Sequence, residues 1–253
     1  MVWDWGLLFI AAFFAGALNA VAGGGSFLTL PALVVAGVPP VAANATGTFS
    51  LLPGYIASAW ALRQEIKELK GPSLALLMGV SVVGGSLGAA LLLWTPERVF
   101  DGLIPWLLLA ATALFMLAPY LVSAKKSGNA STTATALVVL AVAIYGGYFN
   151  GGLGILLLAA FGMVGISNLH IANGLKNVVS ALLTAIAVII YIAGGLIYWP
   201  QALWMMIAAT LGGYFGARAS RHVPTHYLRW GIVVIGLLMT LYFFMRQIGR
   251  AHV

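Results

Sequence analysis

The sequence predicts an all-α polytopic membrane protein made of two homologous repeats that are inverted relative to each other. Three observations carry this: the composition, the long uninterrupted apolar runs, and a self-similarity at a spacing of 128 residues. Of 253 residues, 62% are hydrophobic and 7% are charged. A soluble domain carries roughly 45–50% apolar and about 25% charged residues. So few charges cannot cover a water-facing surface. That excludes a soluble enzyme, a nucleic-acid-binding domain and a disordered chain. The apolar runs are continuous and do not alternate with polar residues, which excludes a transmembrane barrel. There are no cysteines, so disulfides, thiol nucleophiles and iron–sulfur clusters are excluded. The net charge of +7 fits basic cytoplasmic loops.

Cutting the apolar runs at charges and at Pro/Gly clusters gives eight expected spans: 5–22, 41–62, 72–94, 102–122, 133–150, 170–194, 200–218 and 229–246. Each approaches the roughly 20 residues that a crossing needs. Asp4 is the only early charge, so residues 1–22 read as a retained span and not as a cleaved signal. Two short runs, 26–37 and 154–165, directly follow Gly clusters. They read as re-entrant or half-membrane helices. Residues 125–133 read as a polar linker.

The repeat is anchored at several points. Gly23-Gly24 matches Gly151-Gly152, Gly37 matches Gly165, GGSLGA at 84–89 matches GGYFGA at 212–217, and Pro96 matches Pro224, all at an offset of 128. Asn44 matches Asn173 at 129. The units are residues 1–124 and 125–253. Their basic loops swap places. Arg63, Lys67 and Lys70 follow the second span, and the matching loop at 197–201 has no base. Arg98 stands alone, where the matching loop holds Arg218, Arg221 and Arg229. Under the positive-inside bias, this swap points to inversion.

Candidate chemistry collects at the breaks. Asn19, Gly23, Gly24, Gly25 and Ser26 interrupt the first apolar stretch, and Asn150, Gly151 and Gly152 interrupt its counterpart. A helix restarting after such a break presents backbone N–H groups and its positive dipole end, which suits an anion. A tight turn between packed helices is the alternative. Lys176 is the clearest ionisable residue at span depth, and no acid follows Asp101. A lysine at a helix centre costs roughly 2.5–3.5 kcal/mol on insertion scales. A bound anion would compensate it; snorkelling to the interface is the other reading. Asn173 and Asn177 flank Lys176, and Asn44, Thr46 and Thr48 open the matching span. These side chains suit an oxyanion, while Asn44 and Asn173 could instead cap their helices. His170 reads as a helix-start or interface residue. The pairs Gly84/Gly88 and Gly212/Gly216 fit close helix packing, and Trp3, Trp5, Trp94, Trp106, Trp199, Trp204 and Trp230 fit interfacial anchors.

Two stretches, NAVAGGGSFLTLPALVVAGVPPVAANATGTFSLLPG (19–54) and YFNGGLGILLLAAFGMVGISNLHIANGLKNVVSAL (148–182), resemble the TauE/SafE family of sulfite and organosulfonate exporters. The likeness covers essentially the whole chain. It departs from internal symmetry at Leu153, which stands where the first copy has Gly25. The resemblance implies a multi-pass carrier of the plasma membrane, the inner membrane in a bacterium. The substrate class would be small sulfur-containing anions such as sulfite or short organosulfonates. The expected mechanism is secondary transport, with an anion channel as the alternative. There is no GxxxxGK[ST] motif, nucleophile set, metal-ligand spacing or mid-span carboxylate pair. No enzymatic activity and no cofactor are therefore expected. The expected partners are the bilayer and a small anion, not nucleic acid, and a homo-oligomer is compatible with the sequence.

Overall fold

A computed structural model describes residues 2–21, 23–61, 63–66, 73–124, 131–166, 168–219 and 225–251. Among these residues there are helices and no strands. They are α1 (Val2–Val21), α2 (Ser26–Val35), α3 (Pro40–Ala61), α4 (Arg63–Ile66), α5 (Leu74–Trp94), α6 (Glu97–Ala124), α7 (Thr132–Tyr148), α8 (Leu153–Met163), α9 (Leu169–Ala193), α10 (Trp199–Ala219) and α11 (Thr225–Ala251). Most boundaries fall within two or three residues of where the apolar runs were cut, while α6 starts five residues before 102 and α11 extends four to five residues beyond 229–246 at each end. The chemistry of the ends agrees with this. Glu97 Oε2 accepts the Val41 N–H at 3.0 Å, meeting a first-turn amide of α3 with a carboxylate. Asn168 Oδ1 accepts the Ile171 N–H at the start of α9. Asn168 therefore caps that helix, and Asn173 lies inside it.

Among the described residues, three segments are long and apolar enough to cross a bilayer: Trp3–Ala20, Leu74–Trp94 and Ile171–Ala193. Helices α3, α6, α10 and α11 are of comparable length, at 22, 28, 21 and 27 residues, with more polar residues in them. The short helices α2 and α8 have 10 and 11 residues. At 1.5 Å per residue each covers about half of a hydrocarbon core roughly 30 Å thick.

The apolar residues point outward as well as inward. Ile10, Leu91, Ile189, Ile207 and Leu241 are exposed, and so are all seven tryptophans expected as anchors. Water would penalise such a surface; lipid does not.

Contacts fix the relative sense of the eight long helices. Trp5 meets Trp204, Phe13 meets Phe215 and Gly216 lies against Ala17, so α1 and α10 run parallel. Gly84 faces Leu140 and Gly88 faces Tyr148, so α5 and α7 run parallel. Gly85 meets Leu183 and Gly194 meets Leu93, which makes α9 parallel to α5. Phe49 packs on Trp199, and Met206 joins Ile56 and Trp60 in one cleft, which makes α3 parallel to α10. The start of α3 lies beside the ends of the other set, through Val41 to Glu97, Asn44 to Tyr148 and Thr46 to Tyr198. Helices α1, α3 and α10 thus run one way, and α5, α7 and α9 the other. Helices α6 and α11 are antiparallel, with Asp101 on Arg246, Trp106 on Phe244 and Thr112 on Gly236.

The α1–α10 and α5–α7 pairs approach through glycine. A Cβ at Gly16, Gly88, Gly147 or Gly212 would collide with the partner's backbone. This is small-residue packing, as the GGSLGA and GGYFGA matches suggested. Most of the 125–133 linker, and Lys67, Lys70, Arg221 and Pro224, lie outside the described residues, as do the side chains of His170, Arg218 and Arg229.

Candidate functional site: two broken helices and a polar helix face

The two breaks meet. Gly23 has φ +82°, a conformation that glycine adopts freely. A Cβ there would sit 2.6 Å from Gly154 Cα. Across the contact, Asn150 at φ 57° and Gly152 at φ 73° make the second break. Asparagine is among the few non-glycine residues that tolerate this region. Gly25 is right-handed at φ −58°, so the first run of glycines needs its special backbone at Gly23; Gly25 is held close to Ala15 O and Leu51.

Asn150 ties the breaks together. Ser26 Oγ donates to Asn150 O at 3.5 Å, Tyr55 Oη donates to Asn150 Oδ1 at 3.5 Å, and Asn150 Nδ2 donates to Thr48 Oγ1 at 3.4 Å. These are long bonds. Asn19 adjoins the same Tyr55 hydroxyl, and its Oδ1 has no partner among the described residues. Tyr145 Oη donates to Gly151 O at 2.7 Å, fixing the second break from α7. In that break the amides of Gly151, Gly152 and Gly154 find no backbone acceptor among the described residues. Oriented N–H groups of this kind favour negative charge.

The polar residues of α3 are used internally. Asn44 Nδ2 donates to Tyr148 O at 3.0 Å, and Thr46 Oγ1 accepts the Tyr198 N–H at 3.1 Å. Asn44 therefore links α3 to α7 and does not cap its own helix. On α9 the case differs. Lys176 is fully buried and its Nζ has no hydrogen-bond partner among the described residues. It does not snorkel. Of the acids, Asp101 pairs with Arg246 and Glu97 caps α3. Asn177 is buried and Asn173 half-buried on the same side of α9. No hydrogen bond among the described residues joins Lys176 to the two breaks.

Three groups escaped the sequence reading. Tyr55 bridges toward both breaks. Thr29 is fully buried, and its hydroxyl has no partner among the described residues. Ser180 and Thr184 continue the Lys176 side of α9, buried and likewise without partners among the described residues. The i, i+4, i+8 spacing from Lys176 was the available signal.

Broken helices meeting inside an apolar helical bundle, with a buried lysine that has no hydrogen-bond partner among the described residues, are the features of a membrane transport protein. The comparisons place it further. The chain belongs to the TauE/SafE family: the profile described as "Sulfite exporter TauE/SafE" matches residues 8–243. Similar proteins include the probable membrane transporter protein YfcA of Escherichia coli strain K12, 28% identical over 237 residues, covering 93% of this chain and 87% of the relative. A probable membrane transporter protein of Haemophilus influenzae is 28% identical over 237 residues, covering 92% of each. One from a Sinorhizobium species, ORF9, is 27% identical over 244 residues, covering 92% and 90%. No solved structure matches the chain. The protein is a multi-pass membrane transporter of this family.

Proposed function

We propose that the chain is a secondary transporter that exports small sulfur-containing anions, sulfite and short organosulfonates. Lys176 is the observation that carries the reading. A buried ammonium with no hydrogen-bond partner among the described residues is matched by an anionic substrate, in a family described as sulfite exporters. The amides of the second break and the side chains of Asn173 and Asn177 are further donors for such an anion. In the first copy, Asn19, Gly23, Gly24, Gly25 and Ser26 supply the opposing wall of the site, and Asn44, Thr46 and Thr48 its framework.

The architecture we infer is two inverted repeats, residues 1–124 and 125–253, with eight full spans and two half-helices. Helix directions support it. Helices α1, α3, α5 and α6 each run opposite to the helix about 128 residues later. The pairing of α1 with α10 and of α7 with α5 is the exchange that a two-fold relation between the copies produces. Rocking of one repeat against the other would expose the central breaks to each side in turn.

The test is uptake of sulfite into liposomes holding the purified protein. Uptake that saturates with concentration, and that short sulfonates compete away, supports the carrier. Uptake that rises without saturation would support the channel, and none at all would remove sulfur oxyanions from the reading.

A further inference from the structure

Between α3 and α10 lies an open cleft of about 530 Å³, lined by Phe49, Pro53, Ile56, Ala57 and Trp60 of α3 and by Met206 of α10. These side chains carry no charge and, the Trp60 indole N–H apart, no strong hydrogen-bonding group. A small polar solute gains nothing there; an aliphatic chain does. Ile56 is 52% and Trp60 70% exposed. The cleft therefore opens on the outer surface of the bundle, where the bilayer lies.

Length and charge narrow the occupant. The lining runs along α3 from Phe49, near the middle of the helix, to Trp60, next to its last residue Ala61. Those eleven residue steps cover about 16 Å at 1.5 Å each. That is roughly half of a hydrocarbon core about 30 Å thick, the depth that one acyl chain of one leaflet fills. One end of the cleft is marked by a cation. The Arg63 guanidinium lies over the Trp60 ring at 4.7 Å and donates to Trp60 O at 2.8 Å. Arg63 is exposed, and a guanidinium has five N–H donors in a fork that fits a phosphate. The segment it opens holds Arg63, Lys67 and Lys70 against Glu65 and Glu68. The positive-inside bias points such a segment to the cytoplasmic face, whose leaflet carries anionic headgroups.

We propose that the α3–α10 cleft is a binding site for an anionic phospholipid, with one acyl chain lodged against Pro53, Ile56 and Met206 and the phosphate held by Arg63. Both parts are needed. The guanidinium alone is solvated, and the cleft alone accepts any lipid. Helix α3 belongs to the first half of the chain and α10 to the second, so the lipid touches both.

The experiment is native mass spectrometry of the full-length protein in detergent, titrated with phosphatidylglycerol or with phosphatidylcholine of the same acyl chains. The proteins are the wild type, Arg63→Gln and Ala57→Phe, which fills the cleft from an exposed position. Equal melting in lipid-free detergent certifies the fold of each. The wild type should bind phosphatidylglycerol about fivefold more tightly than phosphatidylcholine, the scale of one basic residue at an anionic surface. Arg63→Gln should bind the two lipids alike, and Ala57→Phe should weaken both. A wild type without the preference overturns the proposal. So does a preference that survives Arg63→Gln, or phosphatidylglycerol binding that Ala57→Phe leaves intact. Displacement of the lipid by glycerol 3-phosphate would assign Arg63 to a free phosphate, and a dimer mass that Ala57→Phe abolishes would assign the cleft to a second copy of the chain; either result also overturns it.

Discussion

Helices α3 and α9 occupy positions 129 residues apart and carry similar polar openings, yet they use them differently. On α3, Asn44, Thr46 and Thr48 all have partners within the protein, and Ser50 Oγ donates to Gly47 O at 2.7 Å. On α9, Lys176, Ser180 and Thr184 have none among the described residues. The positions that match those three in α3 are Gly47, Leu51 and Tyr55. A Cβ on Gly47 would come within 2.7 Å of Thr29 Oγ1, and Leu51 and Tyr55 are core residues. One helix therefore spends its polar groups on the frame, and the other keeps three buried polar groups that have no partner among the described residues.

Substitutions sharpen that contrast. The largest loss of stability is expected at the break that α3 helps to hold. Gly23→Ala forces a left-handed residue, at about 1–2 kcal/mol, and also pushes a methyl into Gly154. Gly37→Ala has the same backbone penalty at φ +85° but meets open space. Thermal unfolding in detergent should therefore fall clearly further for Gly23→Ala. Equal shifts would mean that the two breaks do not touch.

Thr46→Val comes next. It leaves the Tyr198 N–H without its acceptor, at about 1–3 kcal/mol if that amide stays buried. Melting should drop while substrate affinity holds. Ser180→Ala removes a hydroxyl that has no partner among the described residues, so melting should be nearly unchanged. The same effect on melting from both would erase the division of labour between the helices.

The smallest effect on stability is expected for Lys176→Met without substrate. Removing a buried charge that has no partner among the described residues relieves a desolvation penalty, so melting should be unchanged or raised. A large drop would show that Lys176 is a structural partner. Topology has no energetic effect at all. Single cysteines at Arg63, just past the end of α3, and at Tyr198, just before the parallel α10, should label from opposite faces of the membrane. Labelling from one face would break the inverted arrangement.

Much of this was legible in the sequence. The apolar runs place the helices because bilayer thickness sets their length, and the Gly23 and Gly151-Gly152 clusters mark breaks because few other residues tolerate that backbone. The tryptophans expected at interfaces are exposed. Lys176 stood out because a charge in lipid requires a reason. Use of the polar side chains was not legible. Nothing in the text distinguishes Thr46, which accepts a backbone amide, from Ser180, which meets no partner. A helical serine reads as back-bonded until its neighbours are placed. Tyr55 reads as span filler, although its hydroxyl reaches Asn150 from another helix. Asn168, not Asn173, caps α9, because helix starts are set by which side chain reaches the first free amides.

The central claim is that the buried ammonium of Lys176 holds a transported anion. The most direct measurement is sulfite uptake into liposomes by the wild type and by Lys176→Met, reconstituted at equal density and shown to be folded by melting. The account predicts saturable uptake by the wild type and a loss of at least about 100-fold in the variant, the scale of a charge-assisted interaction of roughly 3 kcal/mol. Wild-type uptake unchanged in Lys176→Met would contradict it.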